Sequence, residues 1–387
     1  MNVLLVAPNP FFEERGTPIA VRMLCETLCG AGHSVDLLTY HVGSDVEIAG
    51  LNILRIPRLP LIIHVPIGFS WKKIICDIFL SAKLVSRIVR KKYEVVHAVE
   101  EAIFPALLAK VFGRAKLIYD MDSSMPDQLL EKWTYLRPIS PVLYKLEKLA
   151  IRRADGVMAV CEDLAERARA DDPQKHVVVL QDVPLDSRPE SGPAENLRET
   201  CDLHGPFMLY VGNLEHYQGI DLLLEGFAVV RERTEIDLVI IGGTEEDIAK
   251  YQDKARALGV LPWTHFLGPR PIARLAAFLE QATILVSPRL SGNNTPMKIY
   301  SYLASGRPVV ATNIRSHTQV LDPSCAVLVE PTPANLAEGF ERLVRDETLH
   351  ESLGEAAKRL VQAKYSMAEY KKKIIDEYAR LERGCSD

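Results

Sequence analysis

No uninterrupted apolar run in the 387 residues approaches the roughly 20 needed to cross a bilayer. The longest candidate, Leu59 to Phe69, is interrupted by Pro60, His64 and Pro66. Cysteine supplies no framework: there are seven, an odd number with no CxxC pair, which fits a reduced compartment better than a set of disulfides. Cys25 and Cys29 stand one helical turn apart, a spacing that suits packing. A formal charge of −5 offers no global basic surface for nucleic acid. Gly-x-Ser-x-Gly and P-loop patterns are missing, so hydrolase and kinase readings have no support. No His, Cys and Asp spacing marks a metal site. Met1 to Ala7 reads as a core strand with no charged leader, apolar stretch and cleavage site ahead of it. The expectation is a protein that is not exported and works in the cytoplasm.

What is present is 48% apolar and 25% charged, a globular composition, in a chain too long for one ordinary core. Val3 to Val6 is a continuous apolar run, as a parallel strand covered on both faces requires. The loop Ala7 to Thr17 follows, then a helix from Pro18 to Ala31 and a strand from Ser34 to Thr39, a βαβ unit. Further strands are expected at Val95 to His97, Lys116 to Asp120, Gly156 to Val160 and Val177 to Leu180, with a helix over Ala102 to Phe112. Asp186 to Thr200 is polar and broken and reads as a linker. A second series has strands at Phe207 to Val211, Leu238 to Gly242, His265 to Leu267, Ile284 to Ser287 and Pro308 to Thr312. The division is therefore 1–185, a linker 186–200, 201–364, and a C-terminal helix 365–387 that returns to the first domain. The fold class is α/β, with two Rossmann-like, doubly wound domains facing a cleft.

Ligands of open parallel sheets bind outside the carboxyl ends of the strands. That rule selects Pro8 to Thr17 and Asp120 to Ser124 in the first half, and Gly212 to Gly219, Gly242 to Glu246 (with Gly243) and Pro288 to Pro296 in the second. In the last, Thr295 reads as an N-cap and Pro296 as a first helical residue, aiming free N–H groups at a diphosphate. Lys298 then falls in the first turn, where a lysine opposes the helix dipole. It reads either as a ligand for an anion or as a solvated surface lysine.

The stretch Pro296-Met-Lys-Ile-Tyr-Ser-Tyr-Leu-Ala-Ser-Gly-Arg-Pro-Val-Val-Ala-Thr resembles the signature of the retaining GT-B glycosyltransferases of family 4. Leu209-Tyr-Val-Gly-Asn-Leu, Gly219-Ile-Asp-Leu-Leu-Leu-Glu-Gly-Phe and the closing Tyr365-Ser-Met-Ala-Glu-Tyr agree with it. The resemblance implies transfer of a hexosyl group from a UDP- or GDP-sugar to a glycan or lipid-linked acceptor, with no cofactor and no metal. It places base recognition on Leu267 to Arg270, and its glycine-rich phosphate loop on Glu13-Glu14-Arg15-Gly16-Thr17. Gly16 permits close backbone approach there, although a plain turn also explains it.

This chain departs from the family at its charged positions. The two signature glutamates are replaced by Asn293 and Ser301, and the arginine and lysine that meet the diphosphate by Asn213 and Gln218. The first-domain histidine is replaced by Met121 or a neighbour within Tyr119-Asp-Met-Asp-Ser. Either the site is rebuilt, with Arg289 and Lys298 supplying charge and Asn293, Asn294, Thr295 and Ser301 polar contacts, or catalysis is lost and the protein is a binding relative. Asp120 and Asp122 lie two apart after a strand and either orient a sugar hydroxyl or cap the next helix. His97 reads as a core histidine more readily than as a base, and His317 as a residue lining the cleft.

Trp71, Ile74, Ile75, Ile78, Phe79, Ala82, Val85 and Val89 form a helical apolar stripe. Lys72, Lys73, Lys83, Arg87, Arg90, Lys91 and Lys92 surround it, with only Asp77 opposing. Trp71 to Lys92 reads either as a helix packed on its sheet with a solvated basic rim, or as a segment resting on the inner face of a membrane.

Overall fold

The computed structural model describes residues 1–14, 16–66, 70–112, 115–185 and 195–383. Arg15, residues 67–69 of the apolar stretch and residues 186–194 of the expected linker lie outside the described residues. The chain divides into two compact units, Met1–Gln181 with Ala368–Asp387, and Asp182–Met367.

The first unit holds β1 (Asn2–Val6), β2 (Ser34–Thr39), β3 (Leu51–Arg55), β4 (Val95–Val99), β5 (Lys116–Met121), β6 (Gly156–Ala159) and β7 (Val177–Val179). They form one sheet in the order β3-β2-β1-β4-β5-β6-β7, with every neighbouring pair parallel. The strands at the centre are buried along nearly their whole length, which is why their sequences are continuous rather than alternating apolar runs. The edge strand β3 is half-exposed and mixes polar with apolar residues, so no apolar run announces it. Between the strands lie α1 (Gly16–Gly30), α2 (Trp71–Arg90), α3 (Ile103–Ala106), α4 (Ala109–Phe112), α5 (Met125–Lys132), α6 (Ser140–Arg153) and α7 (Glu162–Asp171). The single helix expected over Ala102 to Phe112 is thus divided by a turn, next to Pro105, which has no N–H to extend a helical ladder.

The second unit carries β8 (Phe207–Val211), β9 (Asp237–Ile241), β10 (Thr264–Gly268), β11 (Ile284–Ser287), β12 (Val309–Thr312) and β13 (Val327–Val329). Their order, β10-β9-β8-β11-β12-β13, is the doubly wound order with its reversal between β8 and β11. Helices α8 (Leu197–Thr200), α9 (Ile220–Arg231), α10 (Glu245–Ala257), α11 (Leu275–Gln281), α12 (Lys298–Ser305), α13 (Arg315–Thr318), α14 (Pro333–Arg345) and α15 (Glu347–Lys364) connect and follow these strands. Apolar residues fill both faces of this sheet, around Leu209 and Leu285 on one and Met208 and Val286 on the other.

The last helix of the described residues is α16 (Met367–Arg383), which from Ala368 onward belongs to the first unit. Ile374 and Tyr378 are buried there, Lys373 donates to the Val179 carbonyl at 2.9 Å, and Arg380 to that of Asp155 at 3.0 Å.

Candidate functional site

The reversal of strand order in the second sheet brings the loops after β8 and β11 together. Their contact depends on Gly219, held at φ +75°, where an added Cβ would come within 2.0 Å of the Pro288 carbonyl oxygen. The Leu290 amide closes the contact by donating to the Tyr217 carbonyl at 2.8 Å. Behind them Gly212 and Gly242 pack backbone to backbone: a Cβ on Gly242 would lie 2.1 Å from the Gly212 oxygen. Gly243, at φ +83°, would drive a Cβ into the Leu214 side chain at 2.4 Å. These glycines answer to steric necessity.

Lys298 reaches into this cluster. Its Nζ donates to Oε1 of the buried Gln218 at 3.1 Å and sits 4.0 Å from the ring centroid of Tyr210. It is therefore no solvated surface lysine. Desolvation, reinforced by the charge of Arg289, holds its ammonium well below the ordinary lysine range. The Tyr210 hydroxyl in turn donates to the Asn213 carbonyl at 2.6 Å, while Asn213 Oδ1 accepts the Glu215 amide at 3.4 Å.

Several residues expected to meet a donor are engaged within the protein. Arg289 turns its fork onto its own loop, donating to the Ser291 carbonyl at 2.6 Å, the Asn294 carbonyl at 3.0 Å and Asn294 Oδ1 at 3.3 Å. The same guanidinium lies over the Tyr217 ring at 5.2 Å. Asn293 is exposed and its carbonyl accepts from Gln319 at 2.7 Å. Ser301 is buried and accepts the Leu185 amide at 3.0 Å. Arg270 is held by both carboxylate oxygens of Glu195, at 2.9 and 3.2 Å, and also donates to the Leu267 carbonyl.

Two expectations on local structure require correction. Thr295 does not cap α12 through its side chain, because Pro296 and Met297 first make a tight turn, with the Ile299 amide donating to the Pro296 carbonyl at 2.9 Å. Thr295 is instead buried with no partner for its hydroxyl. His317 is fully buried, bonded to Ser287 Oγ at 2.9 Å and the Thr312 carbonyl at 2.8 Å. Burial lowers its pKa to about 4.

In the first unit, Asp120, next to last in β5, accepts from His97 Nε2 at 3.1 Å, while His97 Nδ1 faces the Tyr378 hydroxyl at 2.9 Å. If Nε2–H serves the carboxylate, a neutral imidazole must accept at Nδ1 and the tyrosine must donate. His97 is fully buried, as a core histidine, yet it links the C-terminal helix to a candidate site residue. Glu100 follows the neighbouring strand β4 with φ 50°, and its carboxylate accepts from Ser123 at 3.0 Å, next to the half-buried Asp122. Sequence spacing does not reveal this linkage, since 281 residues separate His97 from Tyr378. Gly16 and Thr17 start α1, two residues ahead of the expected start at Pro18, and a Cβ on Gly16 would meet open space. Among the described residues, no group of three or more His, Cys, Asp or Glu side chains is placed to hold a metal ion.

The basic rim of α2 is thinner than its sequence suggests. Lys73 is buried against Glu101 at 2.6 Å, Lys83 donates to the Arg55 carbonyl, and Arg87 and Lys91 bind Asp36 at 2.9 and 2.8 Å. No helix of the described residues is long and apolar enough to cross a membrane.

Comparison with known proteins follows these two units. A family described as glycosyl transferases group 1 matches residues 198–360, and a glycosyl transferase 4-like domain matches residues 15–181. A D-inositol 3-phosphate glycosyltransferase of Corynebacterium aurimucosum is 32% identical over 163 residues, 40% of this chain and 38% of that protein. The chain thus aligns with well under half the length of the first curated relatives it matches. An uncharacterized glycosyltransferase of Methanocaldococcus jannaschii is 24% identical over 94% of both chains. Sucrose-phosphate synthase of Thermosynechococcus elongatus superposes with a TM-score of 0.79 at 17% identity, covering 99% of each chain. Anabaena HepE, in complex with UDP-glucose, does so at 0.73 and 15%, covering 98% of this chain and 100% of that one. With two glycosyltransferase domains matched in order on two doubly wound parallel sheets, the chain belongs to the group 1, family 4-like glycosyltransferases of GT-B fold.

Proposed function

We propose that this protein moves a hexosyl group from a nucleoside-diphosphate sugar to a glycan or lipid-linked acceptor, with retention at the anomeric carbon. One observation carries the reading. The buried Lys298 ammonium lies against the neutral amide of Gln218 and the ring of Tyr210, and makes no ion pair with a carboxylate among the described residues. A buried cation so arranged is stabilised by an incoming anion. It stands where strand order reverses, beside the glycines that let the loops after β8 and β11 approach each other, which is where a doubly wound sheet takes a phosphate. HepE, with the same fold, is complexed with UDP-glucose, which supports the donor class.

In this reading Lys298 and the loop amides hold the departing diphosphate, and its charge is stabilised where it develops. Arg289 stiffens the loop and adds positive potential without surrendering its own hydrogen bonds. Asp120, oriented by His97, positions an acceptor hydroxyl.

The competing reading is a silent relative that binds a glycan or a partner. It draws on the internal engagement of Ser301, Asn294 and Arg270. A thermal-shift screen with UDP, GDP and their sugar conjugates separates the two. Ligand at about 100 times Kd adds about 2.7 kcal/mol, a rise of several degrees for units of this size. A shift selective for one base, lost in Lys298→Ala, supports transfer. A folded protein that responds to no nucleotide supports the silent relative.

A further inference from the structure

Among the described residues, seventeen large hydrophobic side chains are exposed, and fifteen of them fall between Leu61 and Leu149, in the first unit. They are not scattered. On α2 the exposed set is Trp71, Ile74, Ile78, Phe79 and Val89, while Cys76, Leu80 and Leu84 face the core. On α6 and the turn before it, Ile139, Val142, Leu146 and Leu149 repeat at three- and four-residue spacing, all outward. Leu108 and Val111, at α4, add to them.

Topology places these helices together. Strand order runs β3-β2-β1-β4-β5-β6-β7, so the connections carrying α2, α4 and α6 all advance in one direction, whereas α1 joins β1 to β2 in the other. Right-handed crossovers then put α2, α4 and α6 on one face of the sheet and α1 on the opposite face. Helix α2 packs against α3 and α4, in keeping with that placement. The result is one broad, apolar outer face, far beyond the single exposed side chains usual on a soluble protein.

Along α2 and α6 the charge is one-sided. From Ser70 to Lys92 the sole carboxylate is Asp77, which accepts from Tyr40; from Lys132 to Arg153 it is Glu147, which is buried. Lys72, Arg90, Lys92, Arg137, Lys145 and Arg153 remain at the surface, on a chain of net charge −5. Apolar side chains interleaved with cations, and no outward carboxylate on either helix, match a surface of buried acyl chains and anionic headgroups.

We infer that the α2–α4–α6 face docks on an anionic lipid bilayer. This deepens the acceptor side of the transfer reading, on which it rests, by assigning an acceptor held at a membrane surface. The test is co-sedimentation of the full-length protein with phosphatidylcholine vesicles, with and without phosphatidylglycerol. Binding is expected only to the anionic vesicles. It should weaken steeply as salt reduces the Debye length from about 10 Å at 0.1 M to about 3 Å at 1 M. Ile78→Asp and Val142→Asp alter side chains that are 62% and 56% exposed, so both should fold. Each should lower the vesicle partition roughly tenfold while leaving the nucleotide-induced thermal shift unchanged.

Failure of the folded protein to bind either vesicle overturns the inference, as does undiminished binding by both variants. A concentration-dependent dimer that Ile78→Asp abolishes, with no vesicle binding, assigns the face to a second copy and overturns it as well. Vesicle binding without any nucleotide shift would sink the transfer reading alone and leave the docking face standing.

Discussion

The Lys298 ammonium lies 3.1 Å from Oε1 of Gln218, a residue 80 positions away on the loop after β8. By the resemblance of Leu209 to Phe227 to the family pattern, Gln218 stands where a lysine for the diphosphate is expected. In this chain a cation comes to the same place from α12, across the strand-order reversal. The amide accepts what a lysine there would have repelled. On the proposed reading, the positive group that meets the donor is therefore supplied from α12 rather than from the loop after β8.

Removing that charge should weaken donor binding. Lys298→Met keeps the hydrophobic stem over Tyr210 and deletes the ammonium. A hydrogen bond to a charged group contributes about 1.5–3 kcal/mol, so Kd for the preferred nucleoside diphosphate should rise by at least roughly tenfold. Calorimetric titration measures it directly. The exchange Gln218→Lys with Lys298→Gln should recover part of the loss, and equal affinity in wild type and Lys298→Met would remove Lys298 from the site.

Gly242→Ala tests the backbone packing beneath the same loops. At φ +114° its Cβ would collide with the Gly212 carbonyl at 2.1 Å, and backbone cannot rotate away as a side chain can. Overpacking typically costs about 1–3 kcal/mol, or several degrees of Tm at roughly 2–4 °C per kcal/mol. Calorimetry should show the drop together with weakened nucleotide binding. A variant as stable as wild type would mean that the two loops are less tightly joined than the geometry indicates.

His317 makes stability depend on pH. Its folded pKa of about 4 lies below the ordinary value of 6.5, so the unfolded chain binds the proton first. The stability tied to the neutral ring is present above pH 6.5 and is lost as pH falls towards 4. At about 1.4 kcal/mol per unit, the fully buried residue accounts for roughly 3 kcal/mol across that window. Melting temperature followed from pH 7 to pH 4 should fall, and less steeply in His317→Gln. Parallel curves for the two proteins would assign the acid sensitivity elsewhere.

Tyr378→Phe deletes the hydroxyl at the far end of the chain that runs through His97 to Asp120. A buried ring nitrogen left without its partner costs about 1–3 kcal/mol, so Tm should fall by a few degrees. Turnover should fall as well, because an unanchored imidazole no longer orients the Asp120 carboxylate. Asp120→Asn should reduce kcat more than Tyr378→Phe does, with the nucleotide-induced thermal shift intact in both. Full turnover in Asp120→Asn would exclude Asp120 from the reaction.

Some of this molecule follows from its residues in order. The apolar runs at Val3 to Val6, Phe207 to Val211 and Ile284 to Ser287 are buried parallel strands because burial on both faces leaves no position for a polar residue. Their alternation with helical segments dictates two doubly wound sheets, and the carboxyl ends of those strands mark the loops where Gly212, Gln218 and Lys298 meet. The half-exposed β3 and the divided helix around Pro105 escape that reading, since a short edge strand and a broken turn leave no periodic pattern.

What the order of residues could not decide is which polar groups remain available to a ligand. Arg289, Ser301 and Arg270 look alike on the page as candidate contacts, yet their partners Asn294, Leu185 and Glu195 are set by how the loops pack. The same holds for α2, where apolar periodicity identifies a stripe but not whether the sheet or the solvent receives it. Local sequence determines conformations and faces through interactions a few residues long. Pairing and exposure depend on contacts across tens to hundreds of residues, and only the folded chain brings those groups within hydrogen-bonding distance.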